Sequence, residues 1–299
     1  MQKQSHISIC AVAAILLGLT ICGSLWDLEI ANAVYLGQMP AENMFGIIVS
    51  YIGVIPTFVG WSFLGASILC LAKKQTADTK KRRQQIGFAI LLFVLSFFYF
   101  CNTLYISNAN AFKVHFAVAY PMGIAVIYTA AHLGYKLSVK SEDRGLLNSA
   151  LFLAAVSLVT LLIISCAKEM MCRPRFRFVL AADNIDYFRN WWQNGRELKA
   201  SLAADTVTDE FASFPSGHSA YAMFAIFIFP ALGDYVQSLR KFKPHLFALG
   251  FVWWAVTAFS RLTVGAHYLT DVTVAGLVTI LAYAIVSAAR KMFQKQKFL

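Results

Sequence analysis

Apolar runs of membrane-spanning length alternate with short polar segments along most of the chain. A helix needs about 20 apolar residues to cross the hydrocarbon core of a bilayer, which is about 30 Å thick. Eight runs reach or approach that length, at residues 7–26, 45–72, 86–105, 114–135, 148–167, 219–233, 245–264 and about 271–289. The run 219–233 is short, so we expect its helix to begin earlier, at Ser216. The pattern predicts an all-α fold, a polytopic transmembrane helical bundle of about eight spans.

Composition agrees with this interpretation. Of 299 residues, 59% are hydrophobic and 14% are charged, whereas soluble domains average about 25% charged residues. The net charge of +11 is explained by basic residues that set membrane topology, so we expect membrane lipids and no nucleic acid as partners. The six cysteines are scattered without a CxxC pair or a His/Cys cluster. Neither a disulfide framework nor a metal site is therefore indicated.

Loop charges predict the orientation of the chain in the membrane. If the loops lie alternately on the two sides, 17 of the 26 Lys and Arg residues fall on one side, together with both termini. By the positive-inside rule that side is cytoplasmic. The first run has the parts of a signal peptide, but it is long enough to span, and we expect it to be retained. The sequence predicts a multi-pass protein of the cell membrane with both termini cytoplasmic.

The longest polar stretch, at about 168–215, then lies on the extracytoplasmic side. Loops of this length between spans commonly form a lid or a functional site. Its centre, DYFRNWWQNGR, mixes aromatic and charged residues as an interfacial helix does, either as a membrane anchor or as a headgroup reader. Nearly all candidate chemistry follows residue 144. We therefore predict N-terminal accessory spans at 1–144 and a core with the catalytic helices at 145–299.

Three polar clusters occur at the ends of predicted spans, where ionisable groups are costly unless paired or used. They are Lys168 with Arg173, Arg175 and Arg177; Ser216, Gly217 and His218; and Ser260, Arg261, His267 and Asp271. The order of the spans brings all three to the extracytoplasmic side. This agreement predicts that they form one site.

The residue types in these clusters suit an anionic ligand. Lys168, Arg175 and Arg261 supply cations, and a guanidinium can bind phosphate oxygens in pairs. A helix that starts at Ser216 presents free backbone N–H groups, and Gly217 lets the ligand approach closely.

His267 and Asp271 are spaced i, i+4, which places them on one face if a helix begins near His267. The carboxylate can then hold one ring nitrogen and leave the other free as a nucleophile, with His218 as the general acid.

These residues resemble the motifs of the type 2 phosphatidic acid phosphatase superfamily, which includes glucose-6-phosphatases and vanadium haloperoxidases. The chain has PSGH at 215–218 and SRLTVGAHYLTD at 260–271, both without departure. The first family motif, Lys, six residues, Arg-Pro, fits less well: Arg175 has the spacing from Lys168, but Phe176 follows it, whereas Arg173 precedes Pro174 at a shorter spacing. The spacing favours Arg175 over Arg173. The resemblance covers about 168–289 and leaves the first four spans unexplained.

The resemblance implies that the phosphoryl group is held by Lys168, Arg175, Ser216, Gly217 and Arg261. It implies a phosphohistidine on His267, orientation of that ring by Asp271, and protonation of the leaving oxygen by His218, with no metal or cofactor. We therefore expect a membrane phosphatase that hydrolyses a lipid phosphate or lipid pyrophosphate at the outer surface. A lipid phosphotransferase with the same site and a catalytically inactive lipid-binding scaffold are the alternatives, and the sequence indicates no oligomeric state.

Overall fold

The computed structural model describes residues 2–37, 40–74, 79–106, 116–140, 145–202 and 209–296, and within them the regular structure is helical. Six helices precede the long polar stretch: α1 (Gln2–Val34), α2 (Pro40–Ile52), α3 (Ile55–Lys74), α4 (Thr79–Ile106), α5 (Phe116–Lys140) and α6 (Gly145–Met171). Two short helices lie within that stretch, α7 (Phe176–Ala181) and α8 (Arg196–Ser201). Four follow it: α9 (Gly217–Met223), α10 (Ala225–Tyr235), α11 (Lys243–Thr263) and α12 (Leu269–Gln296). Short 3₁₀ helices lie at Ile185–Tyr187 and Gln237–Phe242. The predicted all-α class is confirmed for the described residues.

The helices group into two compact units. The first comprises Met1–Gly53, Val156–Met223 and Phe251–Leu299, and in it α12 packs against both α1 and α9. Small residues permit these approaches: a Cβ added at Gly276 on α12 would lie 2.7 Å from Met223 Cε. The predicted site residues all belong to this unit, so α1 shares a unit with the chemistry of the C-terminal half.

The second unit comprises Val54–Ala155 and Phe224–Gly250. Its centre is α3, which packs against α4 and α5. Leu64 and Ile68 on α3 meet Leu92 on α4 and Ala150 on α6 in one apolar cluster. No predicted site residue lies in this unit.

Six helical segments are long and apolar enough to cross a membrane, at Ile7–Val34, Glu42–Lys74, Lys80–Cys101, Leu147–Ala181, Gln237–Thr263 and Leu269–Met292, among the residues described. They coincide with six of the eight predicted spans. A seventh predicted span, 114–135, begins outside the described residues and continues in α5.

The remaining predicted span, 219–233, forms no single spanning helix. It is divided between α9 and α10, which are separated by Phe224, and Pro230 lies within α10. Every residue from Ser219 to Ile228 is buried. Together α9 and α10 form an apolar stretch, Gly217–Gly233, that is shorter than the six spanning segments. Hydropathy alone does not distinguish burial in protein from contact with lipid. The helix also begins at Gly217, one residue later than predicted.

The polar segment after α6 is mostly irregular. The predicted interfacial helix at DYFRNWWQNGR is wrong, because residues 188–195 form turns and extended backbone after the short 3₁₀ helix. Contacts to other elements hold this shape: Trp191 Nε1 donates to Ser24 Oγ on α1 at 2.8 Å, and its ring stacks on Phe214. Arg173 Nε donates to Arg189 O at 2.7 Å. These contacts join residues far apart in the chain, and the periodicity of the sequence does not predict such pairs.

Candidate active site

The site is assembled where several elements end. Residues 172–175 follow α6 without helical structure, residues 209–216 lead into α9, and residues 264–268 connect α11 to α12. Helix ends and connections expose backbone N–H and C=O groups that have no partner within a helix. Side chains and backbone groups can therefore meet there without distorting the helices.

His267 lies in the connection between α11 and α12, two residues before α12 begins. The chain reverses at Gly265, whose φ of 64° is in the left-handed region, and the backbone N–H groups of Ala266 and His267 both donate to Arg261 O. The imidazole is 2% exposed. Its Nδ1 lies 2.6 Å from Ser213 O. Because a carbonyl oxygen only accepts, Nδ1 carries the proton and Nε2 has a free lone pair.

Asp271 does not contact His267 as closely as the i, i+4 spacing predicts. Its Oδ2 lies 3.8 Å from His267 Nδ1, beyond hydrogen-bond distance. The reason is local: α12 begins at Leu269, so His267 precedes the helix and does not follow its periodicity. Asp271 Oδ2 instead accepts from Ser213 Oγ at 2.5 Å and from Tyr268 N at 2.8 Å. Asp271 therefore fixes Ser213, and the carbonyl oxygen of Ser213 accepts from His267.

Arg173 is fully buried and engaged on every side. Its guanidinium donates to Asp271 Oδ1 at 2.6 Å, to Asp27 Oδ2 at 2.9 Å and to Thr270 Oγ1 at 2.9 Å. It also lies over the Tyr268 ring, 4.1 Å from the centroid. Arg173 thus neutralises carboxylates behind the site, and Arg175 is the arginine of this pair that approaches the predicted phosphate-binding cations.

Lys168, Arg175 and Arg261 lie close enough for the positive charges of both arginines to act on Lys168. Lys168 Nζ donates to Ala212 O. Arg175 makes two contacts to Asp209, from Nε to the backbone oxygen and from NH2 to Oδ1, both at 2.9 Å. Arg261 is 1% exposed and donates to Ser50 Oγ on α2. Among the described residues, Arg261 Nε has no hydrogen-bond acceptor. A buried guanidinium with an unused donor is suited to an anionic ligand.

The cations act directly on both histidines. Burial lowers the pKa of His267 to about 3, with Asp271 opposing and Arg175, Lys168 and Arg261 lowering it further. Burial and the positive charges of Arg261, Arg175 and Lys168 also hold the pKa of His218 well below its usual range. His267 is therefore neutral near pH 7, the state in which an imidazole can act as a nucleophile.

In the PSGH segment, Ser216 does not present the free backbone N–H that the sequence predicts. Its backbone N–H is not free for a ligand, because it donates to Asp271 O at 3.0 Å, and its hydroxyl accepts from Ser219 N at 3.3 Å as a helix cap. Gly217 is the first helical residue and has an N–H without an acceptor in the helix. A Cβ added there would meet nothing within 4 Å, so open space adjoins this glycine. His218 follows and is half-buried.

Three acidic residues of this environment, Asp209, Glu210 and Asp27, are not among those that the sequence predicts. Arg177 forms a buried ion pair with Glu210 at 2.6 Å, and Asp209 lies beside Arg175 and Arg177. Burial raises the pKa of Asp209, but the positive charges of Arg175, Arg177 and Lys168 outweigh that effect and lower it. Asp27 follows the first predicted apolar run directly and lies within the spanning segment Ile7–Val34. A carboxylate in such a segment is rare unless it has a partner, which is the one signal for it in the sequence. No group of three His, Cys, Asp or Glu side chains in the described part of the chain could hold a metal ion.

Comparison with known proteins places the chain in a family. Phosphatidylglycerophosphatase B of Haemophilus influenzae is 33% identical to it over 144 residues, and the match covers 42% of this chain and 58% of that protein. The chain thus spans less than two thirds of that relative. No solved structure matches the chain. The family model of the PAP2 superfamily matches residues 147–296, half of the chain and all of the predicted site residues. The chain therefore belongs to the PAP2 superfamily.

Proposed function

We propose that the protein is a membrane lipid phosphatase that hydrolyses a phosphomonoester or pyrophosphate on a lipid through a phosphohistidine at His267. One observation carries the proposal. His267 Nδ1 is fixed on Ser213 O at 2.6 Å, which leaves Nε2 unprotonated among the cations Arg175, Lys168 and Arg261. A neutral, oriented imidazole surrounded by positive charge is suited to attack a phosphoryl group.

The first step transfers the phosphoryl group to the enzyme. His267 Nε2 forms a bond to phosphorus while the bond to the leaving lipid oxygen breaks, and His218 gives that oxygen a proton. The positive charges that lower the pKa of His218 are offset when a phosphate dianion binds, so His218 takes up the proton that it gives to the leaving oxygen.

The second step releases phosphate. Water attacks phosphorus, His218 takes a proton from that water, and the P–N bond breaks to return neutral His267. Lys168, Arg175, Arg261 and the N–H of Gly217 stabilise the charge on the phosphoryl oxygens in both steps. This sequence of steps requires no metal ion.

The surroundings of the site support a lipid substrate, and the loop charges support an orientation of the chain in the membrane. The residues lie at the ends of membrane-spanning segments, where the headgroup of an amphiphile is positioned. The name of the Haemophilus relative makes phosphatidylglycerophosphate the first substrate to test. The loop charges support cytoplasmic termini and a site on the extracytoplasmic side.

A substrate panel in EDTA tests the proposal. Purified protein should release phosphate from at least one of phosphatidylglycerophosphate, phosphatidate and a polyprenyl pyrophosphate in mixed micelles, and more slowly from glucose 6-phosphate. His267→Asn should lower release by a factor on the order of 10⁴, whereas His132→Asn, an exposed position on α5, should not change it. Release that requires added metal, or an active His267→Asn enzyme, would refute the mechanism. Transfer to a lipid acceptor without release would favour a phosphotransferase, and inertness towards every probe a scaffold.

A further inference from the structure

We propose that Asp27, on α1, is a positioning residue for the catalytic histidine. This inference rests on the proposed function. It assigns to the first membrane helix a part in catalysis, since Asp27 acts through Arg173 and Thr270 on Asp271, and through Asp271 and Ser213 on His267.

Asp27 is buried and fully engaged with the residues around the start of α12. Its side chain is 2% exposed. Oδ1 accepts from Thr270 N at 3.0 Å, and Oδ2 accepts from Thr270 Oγ1 and from Arg173 NH2, the latter at 2.9 Å. Thr270 N is in the first turn of α12 and lacks an acceptor within that helix. One carboxylate thus fixes both the beginning of α12 and one edge of the Arg173 guanidinium.

Arg173 carries this constraint to the site. The other terminal nitrogen of the guanidinium, NH1, donates to Asp271 Oδ1 and to Thr270 Oγ1. Its Nε donates to Arg189 O. A planar guanidinium held at three points has one orientation, so a shift of Asp27 is passed on to Asp271. Because Arg173 and Asp271 are both fully buried, no water can replace a lost contact without rearrangement.

Asp271 then controls His267 through Ser213. Asp271 Oδ2 accepts from Ser213 Oγ at 2.5 Å, Ser213 N donates to Arg173 O at 3.0 Å, and Ser213 O accepts from His267 Nδ1 at 2.6 Å. The side chain of Ser213 is therefore bound to Asp271 and its backbone N–H to Arg173, the two residues whose positions depend on Asp27. Displacement of this residue rotates the imidazole and moves Nε2 off the line of attack, and an error of about 1 Å in such geometry costs about 100-fold in rate.

A matched control separates this role from general support of α1. Thr20, seven residues before Asp27 on α1, donates to Thr273 Oγ1 on α12 at 2.9 Å and has no hydrogen bond to Arg173 or Asp271 among the described residues. Thr20→Val removes a buried polar contact between the same two helices, and Asp27→Asn removes the contact proposed to act on the histidine. Both enzymes are assayed as full-length protein in mixed micelles containing phosphatidylglycerophosphate, with thermal midpoints measured in parallel.

We expect Asp27→Asn to lower kcat and the single-turnover rate of His267 phosphorylation by about 10- to 100-fold, with KM within about threefold of wild type. Thr20→Val should keep kcat within about twofold whatever its thermal midpoint. Because Asp27 acts through Arg173, Asp27→Asn combined with Arg173→Lys should lower kcat no further than the worse single variant. If Asp27→Asn does not fold, Thr270→Val, which removes only the side-chain bonds of Thr270, should lower kcat with KM unchanged.

Wild-type kcat in Asp27→Asn or in Thr270→Val would overturn the inference, as would equal losses in Asp27→Asn and Thr20→Val or multiplied losses in the double variant. These outcomes leave the proposed function intact, because the wild-type enzyme is active in each of them. A wild-type protein that releases no phosphate would instead refute the proposed function, and the inference with it.

Discussion

At the scale of single residues, the spacing of polar groups predicts which residues meet, and the structure determines how they meet. The i, i+4 spacing predicts that Asp271 binds His267 on a shared helix. The turn at Gly265 instead places His267 before α12, where its Nδ1 donates to Ser213 O. A backbone acceptor has no signature in the sequence, since any residue can supply it. The sequence also does not decide which of Arg173 and Arg175 faces the predicted phosphate site, because both lie close to Lys168 in the chain.

The protonation state of His267 makes a prediction about stability. Its pKa in the folded, empty site is about 3, against about 6.5 in an unfolded chain. As pH falls from about 6.5 towards 3, the unfolded chain takes up a proton that the folded protein does not, so stability is lost over that window. His267→Asn removes this contribution. We expect its thermal midpoint to fall less between pH 7 and pH 4.5 than that of wild type, measured by tryptophan fluorescence in detergent without phosphate.

His132→Asn is the control for this experiment, because it removes an exposed histidine outside the site. Its pH dependence should follow that of wild type. Parallel curves for wild type and His267→Asn would show that the imidazole takes up its proton in the folded state, and would contradict a neutral nucleophile held by burial and three cations.

At the scale of elements, the approach of α1 to the start of α12 organises the site. Hydropathy predicts α1 as a spanning helix but does not identify Asp27 as a partner of Arg173, because one carboxylate hardly changes the mean of a long apolar window. The stretch 219–233 shows the converse: its residues 219–228 are buried, and hydropathy alone does not separate such burial from contact with lipid. Periodicity and hydropathy therefore locate helices better than they assign helix faces.

Two glycines of α1 test this approach directly. A Cβ at Gly23 would lie 2.9 Å from both Asp27 Oδ1 and Thr270 Cγ2, and 3.1 Å from Thr270 N, whereas a Cβ at Gly18 meets nothing within 4 Å. We expect Gly23→Ala to destabilise the protein by about 1–3 kcal/mol, because the methyl group separates α1 from α12. Gly18→Ala should be neutral or stabilising by up to about 1 kcal/mol. Equal thermal midpoints for the two variants in detergent would contradict the close packing.

At the scale of the whole molecule, the family and the set of polar residues at the site followed from short motifs, because phosphate chemistry requires particular groups at particular spacings. Six spanning segments were predictable because lipid demands long apolar helices. The buried network of Asp27, Arg173 and Asp271 was not, since it joins residues far apart in the chain and depends on which helices are neighbours. Catalysis by this protein is accordingly expected to require its first helix together with the region that matches the family.

The most direct test of the central claim is a search for phosphate bound to His267. The full-length enzyme is mixed in EDTA with phosphatidylglycerophosphate labelled with ³²P in the terminal phosphate, quenched within milliseconds, and analysed by peptide mapping. We predict a label that is stable in alkali and labile in acid, on the peptide containing His267, formed at least as fast as phosphate is released and absent from His267→Asn. Phosphate release without such a label, or a label that persists in His267→Asn, would contradict the account.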